Sequence, residues 1–163
     1  MPRQPFDRLP DSARLWVFAA SRPLEVAERD ALLGAVDAFL DQWNAHRVAL
    51  DCARELRYDQ FLIVGVDQEA AGVSGCSVDA LVRTMKGLGQ QLGVDLVDHA
   101  SVFFRDGGSI RRATRDDFGQ AATSGAVTPE TCVFDNTVQT VGALRAGAWE
   151  APAARTWHGR AFF

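Results

Sequence analysis

The stretch Phe61-Leu62-Ile63-Val64-Gly65-Val66 is apolar at every position. Successive side chains of a strand point to opposite faces, so a run apolar at both parities has no wet side. Arg14-Leu15-Trp16-Val17-Phe18-Ala19-Ala20 has the same character, with Trp16 and Phe18 on one face and Leu15 and Val17 on the other. Whatever sheet these strands build must be covered twice, because apolar patches of that size are rarely left in water. The segment Trp157–Phe163 is the nearest candidate for the second cover, and a homodimer contact is the other.

The remaining periodicities set the order of elements. Ser21-Arg22-Pro23 is a helix-start signal, and from Leu24 to Trp43 apolar residues recur at helical spacing (Leu32, Val36, Phe39 or Leu40, Trp43). Residues 47–56 alternate, with Val48, Leu50 and Cys52 on one face and Arg47, Asp51 and Glu55 on the other, and Arg57-Tyr58-Asp59 turns the chain back into 61–66. Val78, Leu81, Val82, Met85, Leu88 and Leu92 define a second helix that Gly93 stops. Ser101–Arg105 reads as a fourth strand, folded back by Asp106-Gly107-Gly108 through Ser109–Ala113.

The order β-α-β-β-α-β predicts an α+β fold of the ferredoxin-like, split βαβ kind, with both helices on one face. One domain, 1–163, is expected, with its core at 12–113 and a C-terminal extension, 114–163, packed on it. In that extension Thr114-x-x-Asp117 caps a helix, Thr128-Pro129-Glu130 opens a short element, and Val138, Val141 and Leu144 suggest a further turn or two of helix.

At 163 residues the chain suits a single globular domain. Its net charge of −4 and scattered arginines favour neither nucleic acid nor an anionic membrane surface as partner. The opening Met1-Pro2-Arg3-Gln4-Pro5 lacks the apolar stretch of a signal peptide, and 61–66 is too short to span a bilayer. A cytoplasmic protein is expected. Three cysteines (Cys52, Cys76, Cys132) at wide spacing fit reduced thiols better than a disulfide framework. GxxxxGK[ST], GxGxxG, HExxH, GxSxG and CxxC are all missing, so no cofactor is implied.

Chemistry concentrates in Ser74-Gly75-Cys76-Ser77-Val78-Asp79, at the start of the second helix. A helix start leaves N–H groups unpaired and carries a positive partial charge, which gathers anions and favours a thiolate. The split βαβ topology puts the end of helix one beside it, bringing Trp43, Asn44 and His46 towards Asp67, Ser74, Gly75, Cys76 and Ser77, and His99 to the opposite edge. Two functions fit. One is a pocket in which Trp43, Ser74, Gly75, Ser77 and Asp79 meet a small anionic ligand. The other is thiol chemistry with Cys76 as nucleophile, His46 as base and the N–H groups near Ser77 as oxyanion donors.

Asp79 in the first turn competes for the same positive end, and Arg83 is spaced to pair with it. Packing gives a further reading: the serines cap, Gly75 lets the backbone turn, Cys76 is a small buried residue and His46 is a cation at a helix C-terminus. A metal site of Cys76, His46 and Asp67 matches no ligand spacing. Trp43, Trp16, Phe18 and Phe61 read as core, since a sheet that stacks RNA bases would set its aromatics among basic residues. A different class of function is a non-catalytic interaction or scaffolding module working through the second sheet face or the aromatic tail.

Leu9-Pro10-Asp11-Ser12-Ala13-Arg14-Leu15-Trp16-Val17, Gln42-Trp43-Asn44-Ala45-His46, Gly75-Cys76-Ser77-Val78-Asp79 and Trp157-His158-Gly159-Arg160 together resemble a family of small bacterial proteins of about this length, often labelled "ABC transporter ATPase". The resemblance spans nearly the whole chain and picks out Trp43, His46, Cys76 and the Trp157-His158 tail. With no Walker A loop and no ABC signature here, it implies no ATP hydrolysis and carries over no fold, substrate or catalytic residue.

Overall fold

A computed structural model describes residues 3–69 and 72–163. The chain forms two compact units, Met1–Asp98 with Gln139–Gly142, and His99–Val138 with Ala143–Phe163. The division falls at Asp98, ahead of the expected fourth strand, rather than after Ala113.

The first unit runs β1 (Arg14–Ala19), α1 (Val26–Gln42), β2 (Asn44–Ala45), β3 (Val48–Ala49), β4 (Asp51–Arg57), β5 (Phe61–Asp67) and α2 (Gly75–Leu92). Its sheet is antiparallel in the order β1-β5-β4, so the doubly apolar strand is the middle one, and residues 61–66 are all buried. Leu32, Val36 and Leu40 of α1 and Leu81 and Met85 of α2 meet Phe18, Leu62, Val64 and Val66 in one core on one face of this sheet. Towards the other face a Cβ built on Gly65 would stand 2.5 Å from Leu9 and 3.6 Å from Val141. Within this unit, the N-terminal segment and residues 139–142 therefore supply the second cover that the sequence demands.

Two sequence expectations change. The strand expected over 47–56 begins only at Asp51, because Ala45 pairs with Val48 across a two-residue turn at His46 and Arg47. The turn reverses the chain and leaves Val48 55% exposed, out of the core it was expected to join. The expected fourth strand exists as β6 (Val102–Asp106), but it does not extend the β1-β5-β4 sheet. Asp106 pairs with Ser109 across Gly107-Gly108, making β7 (Ser109–Ala113) its immediate neighbour. At the edge of β1, Leu15 N–H donates to Gln139 O at 3.0 Å and Arg14 bridges Thr140. The first unit therefore holds an antiparallel three-stranded sheet, and β6 does not join it to complete the expected four-stranded one.

In the second unit β6 and β7 are followed by α3 (Arg115–Ser124), β8 (Cys132–Phe134), α4 (Val141–Arg145, whose first two residues belong to the first unit), β9 (Glu150–Pro152) and α5 (Trp157–Phe162). The sheet order is β7-β6-β8-β9. Thr114 caps α3 as its spacing predicts, accepting from Asp117 N–H at 3.1 Å. Phe118 is the hub of this core, with ring centroids 5.2 Å from Phe104 and 5.0 Å from Phe162 of the tail. The α+β class holds in both units.

Candidate functional site

Trp43 ends α1 and anchors the hairpin beyond it. Its N–H donates to Leu40 O and its carbonyl accepts from Leu50 N–H at 3.1 Å, which fastens both ends of the β2–β3 hairpin. The indole is 3% exposed and packs edge-on to Trp16 and against Phe39. A buried indole N–H needs an acceptor, and Nε1 finds Ser77 O at 2.9 Å, tying the end of α1 to the first turn of α2.

The start of α2 is closed by two hydroxyls. Ser74 Oγ accepts from Ser77 N–H at 3.1 Å, Ser77 Oγ accepts from Ser74 N–H at 2.8 Å, and the Ser77 hydroxyl donates to Ser74 O at 2.8 Å. This reciprocal cap uses the Ser77 N–H that the sequence offers as an oxyanion donor. The Gly75 and Cys76 amides have no acceptor among the described residues. The first turn carries no acidic residue, since Asp79 lies beyond it, exposed, and no ion pair joins it to Arg83 among the described residues.

Between these pieces lies a cleft of about 450 Å³. Phe39, Trp43 and Ala80 give it an apolar wall, and Gln42, Asn44, His46, Ser74, Cys76 and Ser77 supply polar groups. Six residues that the expected topology brings together therefore do share one cavity, although the sheet lacks the fourth strand of that topology. The first three strands and two helices suffice to set this edge. Gly75, Asp67 and Asp79 do not line the cleft. His46 is not a helix C-terminal cation but sits in the hairpin turn, and no hydrogen bond joins it to Cys76 among the described residues.

Cys76 is exposed, against the reading of a buried packing residue. The other thiols are different. Cys52 is buried with Sγ donating to Leu40 O at 3.5 Å, and burial pushes it up to about 12; burial also raises Cys132. Among the described residues no group of three or more His, Cys, Asp and Glu is placed to hold a metal ion.

Phe39, Gln42 and Ala80 escape the sequence reading. Ala80 follows Cys76 by four residues and so shares its helix face, a usable signal. Phe39 competes with Leu40 for the same core stripe, and only packing assigns Leu40 to the core.

Fold and cleft define an α+β chain whose first unit carries a ligand-sized cavity between two helix ends. Compared with family models, curated proteins and solved structures, the chain matches none. No helix among the described residues is long and apolar enough to cross a membrane.

Proposed function

We propose that the first unit binds a small anionic ligand in this cleft, its charged group at the start of α2 and its body against Phe39 and Trp43. The observation that carries the reading is the neutral cap. Ser74 and Ser77 satisfy each other, and among the described residues the Gly75 and Cys76 amides have no acceptor and no carboxylate lines the cavity, in a chain with net charge −4. Helix starts of this kind accept phosphate or carboxylate groups. A cytoplasmic setting, in which thiols stay reduced, belongs to the same proposal.

The test is protection of Cys76. Inorganic phosphate should slow its alkylation by iodoacetamide in a saturable way, whereas sodium chloride at matched ionic strength should not. Equal rates with both salts would remove the proposal.

A second reading, thiol chemistry, is favoured by the exposed Cys76 sharing the cavity with His46. It expects the Cys76 thiol, giving its proton to His46, to form an acetyl thioester with p-nitrophenyl acetate and release p-nitrophenolate faster than a free-cysteine peptide does, and His46→Ala to slow the transfer. The scaffolding alternative weighs less, because Leu9 and Val141 stand over Gly65 and Phe162 packs on Phe118.

A further inference from the structure

In the second unit one hydroxyl organises α5. Thr156 Oγ1 accepts from His158 N–H at 3.2 Å, donates to Ala153 O at 3.1 Å and lies 2.8 Å from Nδ1 of the His158 ring. A hydroxyl has a single proton to give. Ala153 O receives it, so Nδ1 carries the ring proton and donates to Oγ1. Nε2 is then the place for any second proton, and it has no hydrogen-bond partner among the described residues.

The surroundings of the ring suit only its neutral form. His158 is 1% exposed, stacks on Trp157 with centroids 3.9 Å apart, and meets Phe118 and Phe162 at 6.3 and 6.4 Å. The Arg115 guanidinium already lies 4.9 Å from the centre of the Trp157 ring. Of the charged groups on the elements packed against α5, Asp135 beyond β8 and Arg115 on α3 act on the imidazole. The Asp135 carboxylate is engaged by the Thr137 N–H and hydroxyl. Asp116 and Asp117 on α3, Arg155 and Arg160 are exposed. Burial holds the ring down at about 4, from an ordinary 6.5, with Asp135 opposing the shift and Arg115 adding to it.

Packing, rather than a strand ladder, holds α5 in place. It lies on residues 153–155, where a Cβ on Gly159 would stand 2.7 Å from Ala153 O, and on α3, where Phe162 meets Phe118 with centroids 5.0 Å apart. It takes no part in the pairing of the β7-β6-β8-β9 sheet. We infer that α5 is an acid-released latch of the second unit: a second proton on His158 detaches residues 157–162 from α3 and uncovers Phe118 while the sheet stays folded. The proton goes to Nε2, and water solvates the imidazolium once the helix is open.

Hydrogen exchange of the full chain, read by mass spectrometry and corrected for the intrinsic pH dependence of amide exchange, tests the latch. Between about pH 6.5 and 4.5 the protection of the α5 amides should fall by up to about tenfold per pH unit, while that of Val102–Asp106 in β6 holds. The fall should follow the titration of the His158 imidazole measured by NMR, and His158→Gln, whose side chain stays neutral, should abolish it. Loss of protection in α5 and β6 together, no loss in α5, or a loss that does not follow the ring overturns the inference. An equal fall in His158→Gln overturns it too; if that variant does not fold, the wild-type comparison of α5, β6 and the ring decides alone.

Discussion

The two long helices of the first unit begin in opposite ways. At the start of α1, Glu28 accepts from Glu25 N–H at 2.9 Å and is gripped by Arg22 at 2.7 Å. The Arg22 guanidinium, helped by that N–H, holds the Glu28 carboxyl down at about 2. The positive end of α1 is thus neutralised by its own side chains. At the start of α2, Ser74 and Ser77 make the same kind of closure with neutral hydroxyls, and the cleft opens beside it. Capping chemistry that is equivalent for folding therefore leaves very different fields for a ligand. A third start, that of α5, shows the closed extreme: Thr156 accepts from His158 N–H, and the His158 ring is buried 2.8 Å from the same hydroxyl.

The largest expected effect attacks the link between the two long helices. Trp43→Ala should cost about 3–5 kcal/mol of unfolding free energy in urea. Trp43→Phe, which keeps the ring but loses the bond to Ser77 O, should cost about 1 kcal/mol. Near-equal values would show that the indole N–H, rather than burial, holds α2 to α1.

His158 tests the closed start. Burial pushes its imidazole down to about 4, from an ordinary 6.5. The unfolded chain then binds the proton more readily, so this contribution is fully present above about 6.5 and is lost as pH falls towards 4. The expected loss is at most about 1.4 kcal/mol per pH unit in that window. His158→Gln should flatten the window, and an unflattened profile would assign the acid sensitivity to other groups.

Ser74 tests the open start directly. Ser74→Ala should cost about 1 kcal/mol by removing the cap. Ser74→Asp should keep the cap yet place a carboxylate before the cleft, making α2 resemble α1. Its stability should match the wild type while phosphate protection of Cys76 disappears. Protection that survives Ser74→Asp would break the contrast between the two helices.

The smallest effect is at Glu28, which is half-buried at the surface beside Arg22. With its carboxyl at about 2 in the fold and 4.5 as the ordinary value, the stabilisation is present above 4.5 and lost as pH falls towards 2. Glu28→Gln should shallow the acid limb of a pH and melting-temperature profile, and an identical limb would remove the role given to Arg22.

How much of the fold and cleft was legible depends on how local each signal is. The double apolarity of 61–66 required a strand covered twice, and β5 is the central strand. Helical spacing located α1 and α2, Gly93 stops α2 in the left-handed conformation, and Thr114 caps α3. These features are written within a few residues. The β6–β7 hairpin was legible in Asp106-Gly107-Gly108, but the sheet it joins was not, because a strand with apolar residues on both faces suits either sheet. The turn at His46 was hidden for the opposite reason: it lacks the Asn-Gly signature that announces such a hairpin. The cleft was half visible, since capping serines and a cysteine mark one wall, while Phe39 and Gln42 on the other carry no local sign.

The open start of α2 is tested most directly by an amide-resolved NMR titration with inorganic phosphate at constant ionic strength. Saturable shifts confined to the Gly75 and Cys76 amides and the Trp43 indole N–H, and missing at Glu25 and Val26, are predicted. Linear shifts scattered over the chain, or none at Gly75 and Cys76, would contradict it.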